Sequence, residues 1–125
     1  LDTPPEVLSV AVWVGEAGES PADLDQVHER ADGAVRGRDG VLLRRGQPVA
    51  TVLDLPWEAD DPGHWERAAA AGGRVVLAGR LAADNVREAI ERVRPWAVDA
   101  SSRLESAPGV KDHAKLRDYV EAARG

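Results

Sequence analysis

The chain of 125 residues contains no cysteine, no methionine and no phenylalanine, and its aromatic residues are four tryptophans and one tyrosine. Without cysteine it can form neither a disulfide framework nor a thiolate metal site. Its apolar runs are far shorter than the roughly 20 residues that a membrane-spanning helix needs, and no basic-apolar signal segment opens it. These absences indicate a cytoplasmic protein with no membrane partner.

The charge balance argues against a nucleic-acid partner. The formal net charge is −6, and the arginines are dispersed among acids rather than clustered. The three histidines, His28, His64 and His113, lie far apart and lack metal-ligand spacing. An acidic pair in a loop, such as Asp60–Asp61, is more typical of a solvated surface than of a Mg²⁺ site. We therefore expect no cofactor and no metal.

The first half of the chain has weak strand-helix alternation. Val7–Val14 is an apolar run that predicts a strand covered on both faces, and 48–55 predicts another buried strand. Ser20-Pro21 followed by Asp23 has the signals of a helix start, which predicts a short helix to about Arg30. The segment 31–46 contains two Asp-Gly pairs and an Arg-rich turn, which indicate hairpins.

The second half alternates clearly. We predict a helix over 64–71, a strand over 74–78, a helix from Asp84 or Asn85 to Val93, a strand over 96–100 and a helix from Asp112 to Ala123. In the last helix, Leu116, Val120 and Ala123 are expected to face inward. This βαβ pattern, with small-residue loops after both strands, is typical of phosphate binding in barrel enzymes. The length fits one domain, 1–125, of four or five strand-helix units.

The segment 75–111 closely resembles the C-terminal third of the phosphoribosylanthranilate isomerase family. That family typically shows Gly-Gly-Leu, then Asn-Val, then Val-Asp-x-Ser-Ser-Gly-x-Glu-x-x-Pro-Gly-x-Lys-Asp. The residues that fit this pattern, at the right spacing, are Leu81, Asn85, Val86, Val98, Asp99, Ser101, Ser102, Glu105, Pro108, Gly109, Lys111 and Asp112. The start of the chain resembles the lead into the family's third strand. The resemblance thus implies an α/β fold, a partial (βα)8 barrel without counterparts of the first two units.

The resemblance also implies a chemistry and its residues. The family catalyses an Amadori rearrangement in tryptophan biosynthesis, which needs a general acid at the ring oxygen and a general base at C2. Asp54 matches the family's acid, although an Asp here can also simply cap the following turn, which Pro56 makes more favourable. The family's base is a cysteine, which this chain lacks; Asp60, Asp61 and His64 are the remaining candidates. Gly79 and Arg80, with Ser101, Ser102 and Arg103, fall where the family holds the substrate's phosphate.

Two arginines replace family glycines in these phosphate loops. Arg80 stands for the second glycine of the first loop, and Arg103 stands for the glycine after the serine pair. Two guanidinium groups can form a new anion site, since each can bind phosphate bidentately. Alternatively, side chains placed where glycine is needed close the pocket. Because both replacements fall at one pocket, we expect Arg80 and Arg103 to lie within one side-chain length of each other.

Two functions follow from these observations. The first is a phosphoribosylanthranilate isomerase-like enzyme with an altered site. The alternative is a non-catalytic or repurposed barrel relative that binds a different, possibly anionic, ligand or acts as an assembly module. In both cases the expected ligand is a small phosphorylated or anionic molecule. A half-barrel leaves open sheet edges, so we also expect a homodimer or a complementing N-terminal fragment.

Overall fold

The structure, a computed structural model, describes residues 7–30, 36–55 and 62–125. The chain divides into two compact units, Leu1–Val52 and Leu53–Gly125. Across the three described stretches, no helix is long and apolar enough to cross a membrane. The interpretation of 1–125 as one domain therefore stays a prediction.

The first unit consists of four strands that lie side by side in chain order: β1 (Val10–Val14), β2 (Leu24–Arg30), β3 (Arg36–Arg44) and β4 (Gln47–Leu53). β1 and β2 are parallel, and β2 and β3 are antiparallel. β3 turns into β4 through Arg45 and Gly46, whose φ angles of 51° and 77° are both positive. Positive φ at both central residues is the signature of a tight hairpin turn. The predicted hairpin at this end is confirmed, whereas 31–35 lie outside the described residues.

The predicted helix from Ser20 to about Arg30 is wrong, because this segment contains β2. The residues that resemble a helix start instead begin a strand: the Asp23 carboxylate accepts hydrogen bonds from the Ser9 amide at 2.8 Å and the Ser9 hydroxyl at 3.0 Å. These bonds fasten the start of β2 to the residue before β1. Leu24, Gln26 and His28 are buried at alternate positions, which is the period of a strand.

The strand predicted within Val7–Val14 is confirmed, but its burial on both faces is wrong for this chain. Val12 is 57% exposed and Val10 is 43% exposed, and Val7 and Leu8 before them are exposed as well. Among the described strands, β1 has β2 as its only neighbour. The valines therefore have few partners on their side of the sheet, although their sequence is that of a covered strand.

A buried polar pair lies inside the first unit. The side-chain nitrogen Nε2 of Gln26 lies 2.8 Å from Nε2 of His28, and His28 is fully buried. Gly40 is the register partner of His28 on β3. A Cβ at Gly40 would lie 2.9 Å from two atoms of the His28 ring and 2.8 Å from the Val27 carbonyl oxygen. Glycine is therefore required here by space.

The second unit contains the predicted βαβ arrangement. Its elements are α1 (His64–Ala70), β5 (Val75–Ala78), α2 (Val86–Val93), β6 (Ala97–Asp99), a 3₁₀ helix (Ser102–Leu104), β7 (Glu105–Ala107), β8 (Val110–Lys111) and α3 (His113–Arg124). β5 and β6 are parallel, and β7 and β8 form a small antiparallel pair. All four residues of β5 are buried. The strand-helix alternation expected from the sequence is confirmed for this half.

The core of the second unit is built on β5 and α2. Leu77 on β5 packs with the α2 stripe Val86, Ala89 and Val93, with Tyr119 of α3 completing one side. The helix α2 ends at Arg94, whose φ of 52° stops the helical path before Pro95. Burial raises the pKa of Tyr119 to about 12, and the nearby Asp99 carboxylate adds to this.

The stripe predicted for the last helix is wrong at two of its three positions. Leu116 and Val120 are exposed, whereas Tyr119 is the buried residue of α3. Ala123 does pack against the core. Tyr119 lies one position before Val120, so the buried stripe is rotated about one residue around the helix from the aliphatic one. The pattern of aliphatic residues alone therefore gave the wrong face.

Replacing Gly40 with alanine should destabilise the fold by about 1–3 kcal/mol, because the new methyl group would overlap backbone and ring atoms of the neighbouring strand. Urea unfolding followed by tryptophan fluorescence measures this change. The matched control is Gly46→Asn, at an open turn position with φ of 77°, where asparagine is tolerated. Equal stabilities of the two variants would contradict the packing argument.

Candidate functional site

The proposed acid, Asp54, is buried directly after β4, with an exposure of 6%. The next residue, Leu55, lies against Gly79, the first residue after β5. A Cβ at Gly79 would lie only 2.4 Å from the Leu55 backbone nitrogen, and the Gly79 φ is 103°. Glycine is required here both by space and by backbone conformation. The segment after Asp54 and the loop after β5 are therefore in direct contact.

The loop after β5 is held by the side chain of Asn85. Its Oδ1 accepts the Ala82 amide hydrogen at 2.9 Å, and its Nδ2 donates to the Arg80 carbonyl oxygen at 3.0 Å. Arg80 has a φ of 58°, so a residue with a side chain occupies a left-handed conformation. Asn85 stands at the N-cap position of α2, but its side chain makes no capping bond there. The Asn85 side chain stabilises the loop after β5 instead.

Arg103 joins the second loop to the first, and the two arginine positions are therefore close together, as expected. Its Nη1 donates to the Arg80 carbonyl oxygen at 3.0 Å, and its Nη2 donates to the Asp84 carboxylate at 2.6 Å. This hydrogen bond from Arg103 lowers the pKa of Asp84 below its ordinary value, and the positive charge contributes in the same direction. Arg103 thus connects both loops through charge-assisted bonds.

The serine pair lies in a loop fixed by Lys111. The Lys111 ammonium donates to the Ser101 carbonyl oxygen at 3.0 Å and lies 3.2 Å from the Ser101 hydroxyl. It also lies 3.4 Å from the Glu105 carboxylate. Neither serine caps α3, which is capped, as predicted, by Asp112 through the Lys115 amide at 3.1 Å.

His64 connects α1 to the end of β5. Its Nε2 lies 3.0 Å from the Ala78 carbonyl oxygen, so this nitrogen carries the proton, because a carbonyl can only accept. Its Nδ1 lies 3.3 Å from Nη2 of Arg67 and accepts from that guanidinium. Both ring nitrogens are engaged by protein groups, which weakens the case for His64 as a base. The other two candidates, Asp60 and Asp61, lie outside the described residues.

Two of the cavities beside these loops differ in the charged residues that line them, among the residues that the structure describes. The Trp65 cavity, of about 300 Å³, is lined by Leu55, Pro62, His64, Trp65, Gly79, Arg80, Asn85 and Arg92. The Asp118 cavity, of about 420 Å³, is lined by Ala82, Ala83, Asp84, Ser102, Arg103, Leu104, Glu105, Lys115 and Asp118. Arg80 thus lines the first, and Arg103 lines the second. Within the described stretches, no group of three His, Asp or Glu residues could hold a metal ion.

Sequence reasoning missed the buried polar pair Gln26 and His28 of the first unit. The signal that could have found it was the alternation of Leu24, Gln26 and His28, which places all three on one face of a strand. The preceding residues Ser20, Pro21 and Asp23 have the pattern of a helix start, which predicted the wrong element. A buried histidine bonded to a side-chain amide within a strand is a feature that ligand sites and cores both use.

A buried Asp after one strand, next to two hydrogen-bonded loops after parallel strands, is the arrangement found at the carboxyl ends of the strands in α/β barrel proteins. The family model for N-(5′-phosphoribosyl)anthranilate (PRA) isomerase matches residues 64–122. The relative of that name from Geobacter sulfurreducens is 53% identical over 117 residues, covering 86% of this chain and 58% of the relative. The one from Pelobacter propionicus is 49% identical, covering 85% and 56%.

The chain belongs to the N-(5′-phosphoribosyl)anthranilate isomerase family, and it spans a little over half the length of these curated relatives. A solved phosphoribosyl anthranilate isomerase in complex with reduced 1-(o-carboxyphenylamino)-1-deoxyribulose 5-phosphate matches 99% of this chain and 75% of its own, with a TM-score of 0.61 and 24% identity. TrpF from Jonesia denitrificans matches 64% and 40%, with a TM-score of 0.54 and 44% identity. The expected partial barrel of α/β class is confirmed.

The pairing of Asp84 with Arg103 should be visible in the pH titration of Asp84. Because the folded-state pKa is lowered, the paired form contributes stability above the ordinary pKa of about 3.8, and this contribution is lost as pH falls through the lower folded pKa. The contribution is small, since the carboxylate is 66% exposed. NMR titration of the carboxyl carbon should give a value below 3.8 that returns to normal in Arg103→Gln. An unchanged titration would show that the pair does not form in solution.

Proposed function

We propose that this chain supplies the acid and the phosphate-binding half of an isomerase site for an N-aryl phosphoribosylamine, acting in the cytoplasm. The observation that carries the proposal is the burial of Asp54 at the end of β4, with its neighbour Leu55 packed on the Gly79 loop. The residues we assign are Asp54 for catalysis, with Gly79, Arg80, Ser101, Ser102 and Arg103 around the phosphate.

Asp54 would act as the general acid of the Amadori rearrangement. It donates a proton to the ring oxygen as the C1–O bond breaks, and the lone pair of the aryl nitrogen forms the C1=N bond. A base then removes the C2 proton, whose electrons form C1=C2 and neutralise the nitrogen, and the resulting enol tautomerises to the ketone. A positioned acid of this kind contributes a rate factor of about 10²–10⁴.

The two loops would hold the phosphate at a fixed distance from this acid. The Gly79–Arg80 loop touches the residue after Asp54, and Arg103 and Lys111 fix the serine loop. Rigid loops reduce the cost of ordering a bound ligand. No base is assigned among the described residues, because the chain has no cysteine and both nitrogens of His64 are engaged, while the candidates Asp60 and Asp61 lie outside those residues. We propose that a complementing fragment or second copy provides it.

Turnover of N-(5′-phosphoribosyl)anthranilate tests this proposal. The chain would be assayed alone and mixed with the segment that precedes the matched region in the Geobacter sulfurreducens relative. Asp54→Asn should lower kcat by at least about 100-fold in whichever preparation is active. The matched control is Glu121→Gln, which removes an exposed carboxylate of α3.

Unchanged kcat in Asp54→Asn would remove Asp54 as the acid. Absence of turnover in both preparations, with circular dichroism showing a folded chain, would contradict the enzyme proposal and leave the second candidate.

That second candidate is a repurposed relative that binds an anionic ligand without isomerising it. The specific observation in its favour is Arg103, whose guanidinium stands between the two loops where the family has glycine. Binding of ribose 5-phosphate without turnover of the arylamine, in the presence and absence of the added fragment, would favour this function.

The exposed apolar face of β1 should be covered in solution by a second copy of the chain or by a complementing fragment. Val10 and Val12 are 43% and 57% exposed on a strand whose sequence suits burial. Size-exclusion chromatography with light scattering should give about twice the 13.4 kDa chain mass for the chain alone. Val12→Lys should shift this to the monomer, whereas Thr51→Lys, at an exposed β4 position, should not. A compact 13.4 kDa monomer that is stable on dilution would contradict the prediction.

A further inference from the structure

We infer that the β7–β8 hairpin is a positioning element for the serine loop, which contains Ser101 and Ser102. Lys111 at the end of the hairpin holds this loop, and Glu105 at its start holds Lys111. The inference rests on the proposed function in one respect, namely that the serine loop meets the phosphate of the ligand. It gives a role to the part of the family pattern that follows the serines and that the proposed chemistry does not use.

Lys111 holds both the backbone and the side chain of Ser101. Its ammonium donates to the Ser101 carbonyl oxygen at 3.0 Å and to the Ser101 hydroxyl oxygen at 3.2 Å. The same carbonyl oxygen accepts the Leu104 amide hydrogen at 3.0 Å, the bond that closes the 3₁₀ turn. Because the peptide group is planar and trans, fixing this carbonyl also fixes the direction of the Ser102 amide. Lys111 therefore sets the peptide group that joins the two serines.

The turn of the hairpin brings Lys111 back to the serine loop. This turn consists of Pro108 and Gly109, between paired strand residues. Proline followed by glycine with a positive φ, here 78°, is the pattern of a type II turn. Oε2 of the Glu105 carboxylate accepts the Gly109 amide hydrogen at 2.9 Å. The side chain that faces Lys111 is therefore itself fixed by the turn.

Glu105 places a negative charge beside the Lys111 ammonium. Its Oε2 lies 3.4 Å from Nζ of Lys111, and the Glu105 side chain is only 18% exposed. An ammonium carries three hydrogens, and it is surrounded here by three oxygens of the protein, two from Ser101 and one from Glu105. An anionic ligand would have to displace one of these oxygens and would be repelled by Glu105. Lys111 is therefore a positioning residue that acts through Ser101, and it is not the phosphate contact.

The test uses the full 125-residue chain with ribose 5-phosphate as the probe, and it compares Lys111→Met with Lys115→Met by calorimetry. Lys115 donates to the Glu105 carbonyl oxygen at 3.1 Å and lines the Asp118 cavity together with Ser102. Each variant removes one ammonium near the serines, but Lys111 is the one that bonds Ser101. Lys111→Met should weaken binding about three- to tenfold, because the loop must then be ordered on binding, and Lys115→Met should change it by less than about twofold. Equal weakening in both variants would show that charge alone determines affinity, and would overturn the inference.

Amide hydrogen exchange measures the order of the loop without any ligand. The Leu104 amide, which donates to the Ser101 carbonyl oxygen, should exchange about tenfold faster in Lys111→Met and at an unaltered rate in Lys115→Met. The amides of the buried strand β5 should keep their rates in both variants, which separates loosening of the loop from a loss of global stability. Equal exchange of the Leu104 amide in the two lysine variants would overturn the inference.

Glu105→Gln separates a positioning role from direct contact, with Asp118→Asn as its matched control. Both variants remove one carboxylate from the lining of the same cavity, but Glu105 is the one paired with Lys111. If Lys111 positions the loop, Glu105→Gln should bind the probe about threefold more weakly than Asp118→Asn, because the ammonium loses the charge that orients it. If Lys111 is itself the phosphate contact, its release from Glu105 should give tighter binding than in the control, which would overturn the inference.

NMR spectra of the chain saturated with ribose 5-phosphate give a further signature. The amide signals of Ser101 and Ser102 should shift on binding, whereas the signal of the Lys111 ammonium should stay in place, because its acceptors within the protein do not change. An ammonium shift larger than that of the serine amides would identify Lys111 as the contact and contradict the positioning role.

These outcomes are distinct from the turnover results for Asp54. If Leu104 exchange differs between the two lysine variants but the chain does not bind ribose 5-phosphate, the phosphate assignment of the proposed function fails, while the hold of Lys111 on the serine loop is supported. If the chain turns the substrate over but binds the probe equally well with and without Lys111→Met, the proposed function is supported and the inference is overturned.

Discussion

The loops of the candidate site are joined at one atom, the carbonyl oxygen of Arg80. It is the point at which α2, through Asn85, and the 3₁₀ helix, through Arg103, are bonded to the loop after β5. A neutral amide and a charged guanidinium share the same acceptor. Because the loop begins at Gly79, which packs on the Leu55 backbone, this one acceptor also sets how the loop meets the segment after Asp54. The backbone conformation of Arg80, the contact of its loop with Leu55 and the position of Asp54 are thus linked.

The sequence predicted the second unit well because its local and long-range signals agree. In α2, the spacing of Val86, Ile90 and Val93, the small residues before it and Pro95 after it all indicate the same helix, and β5 has only apolar residues to bury. The first unit was predicted less well. Ser20-Pro21 with Asp23 has the local pattern of a helix start, but the Asp23 carboxylate bonds Ser9 across to the neighbouring strand. This contact joins residues 14 positions apart, so no local sequence pattern could predict that the segment forms a strand.

The candidate site, too, was only partly predictable from the sequence. The resemblance to a family motif identified Asp54 and the two loops, and proximity of Arg80 and Arg103 followed from the side-by-side ends of parallel strands. The sequence did not decide the role of each arginine, because a guanidinium can donate hydrogen bonds to a ligand or to a backbone carbonyl. The partners that decide it, Asp84 and the Arg80 carbonyl oxygen, are 19 and 23 residues from Arg103. The exposed faces of β1 and α3 were likewise not predictable, because exposure depends on which neighbours a strand or helix has.

The two replacements of glycine are best understood together. Arginine at 80 alone would leave a left-handed residue with one supporting bond, from Asn85. Arginine at 103 supplies a second bond to that residue and at the same time neutralises itself on Asp84. Arg103 therefore forms an internal ion pair with Asp84, whereas Arg80 lines the Trp65 cavity. The two replacements thus have different structural outcomes: Arg103 bonds across to the neighbouring loop, and Arg80 adopts a left-handed conformation that this bond supports.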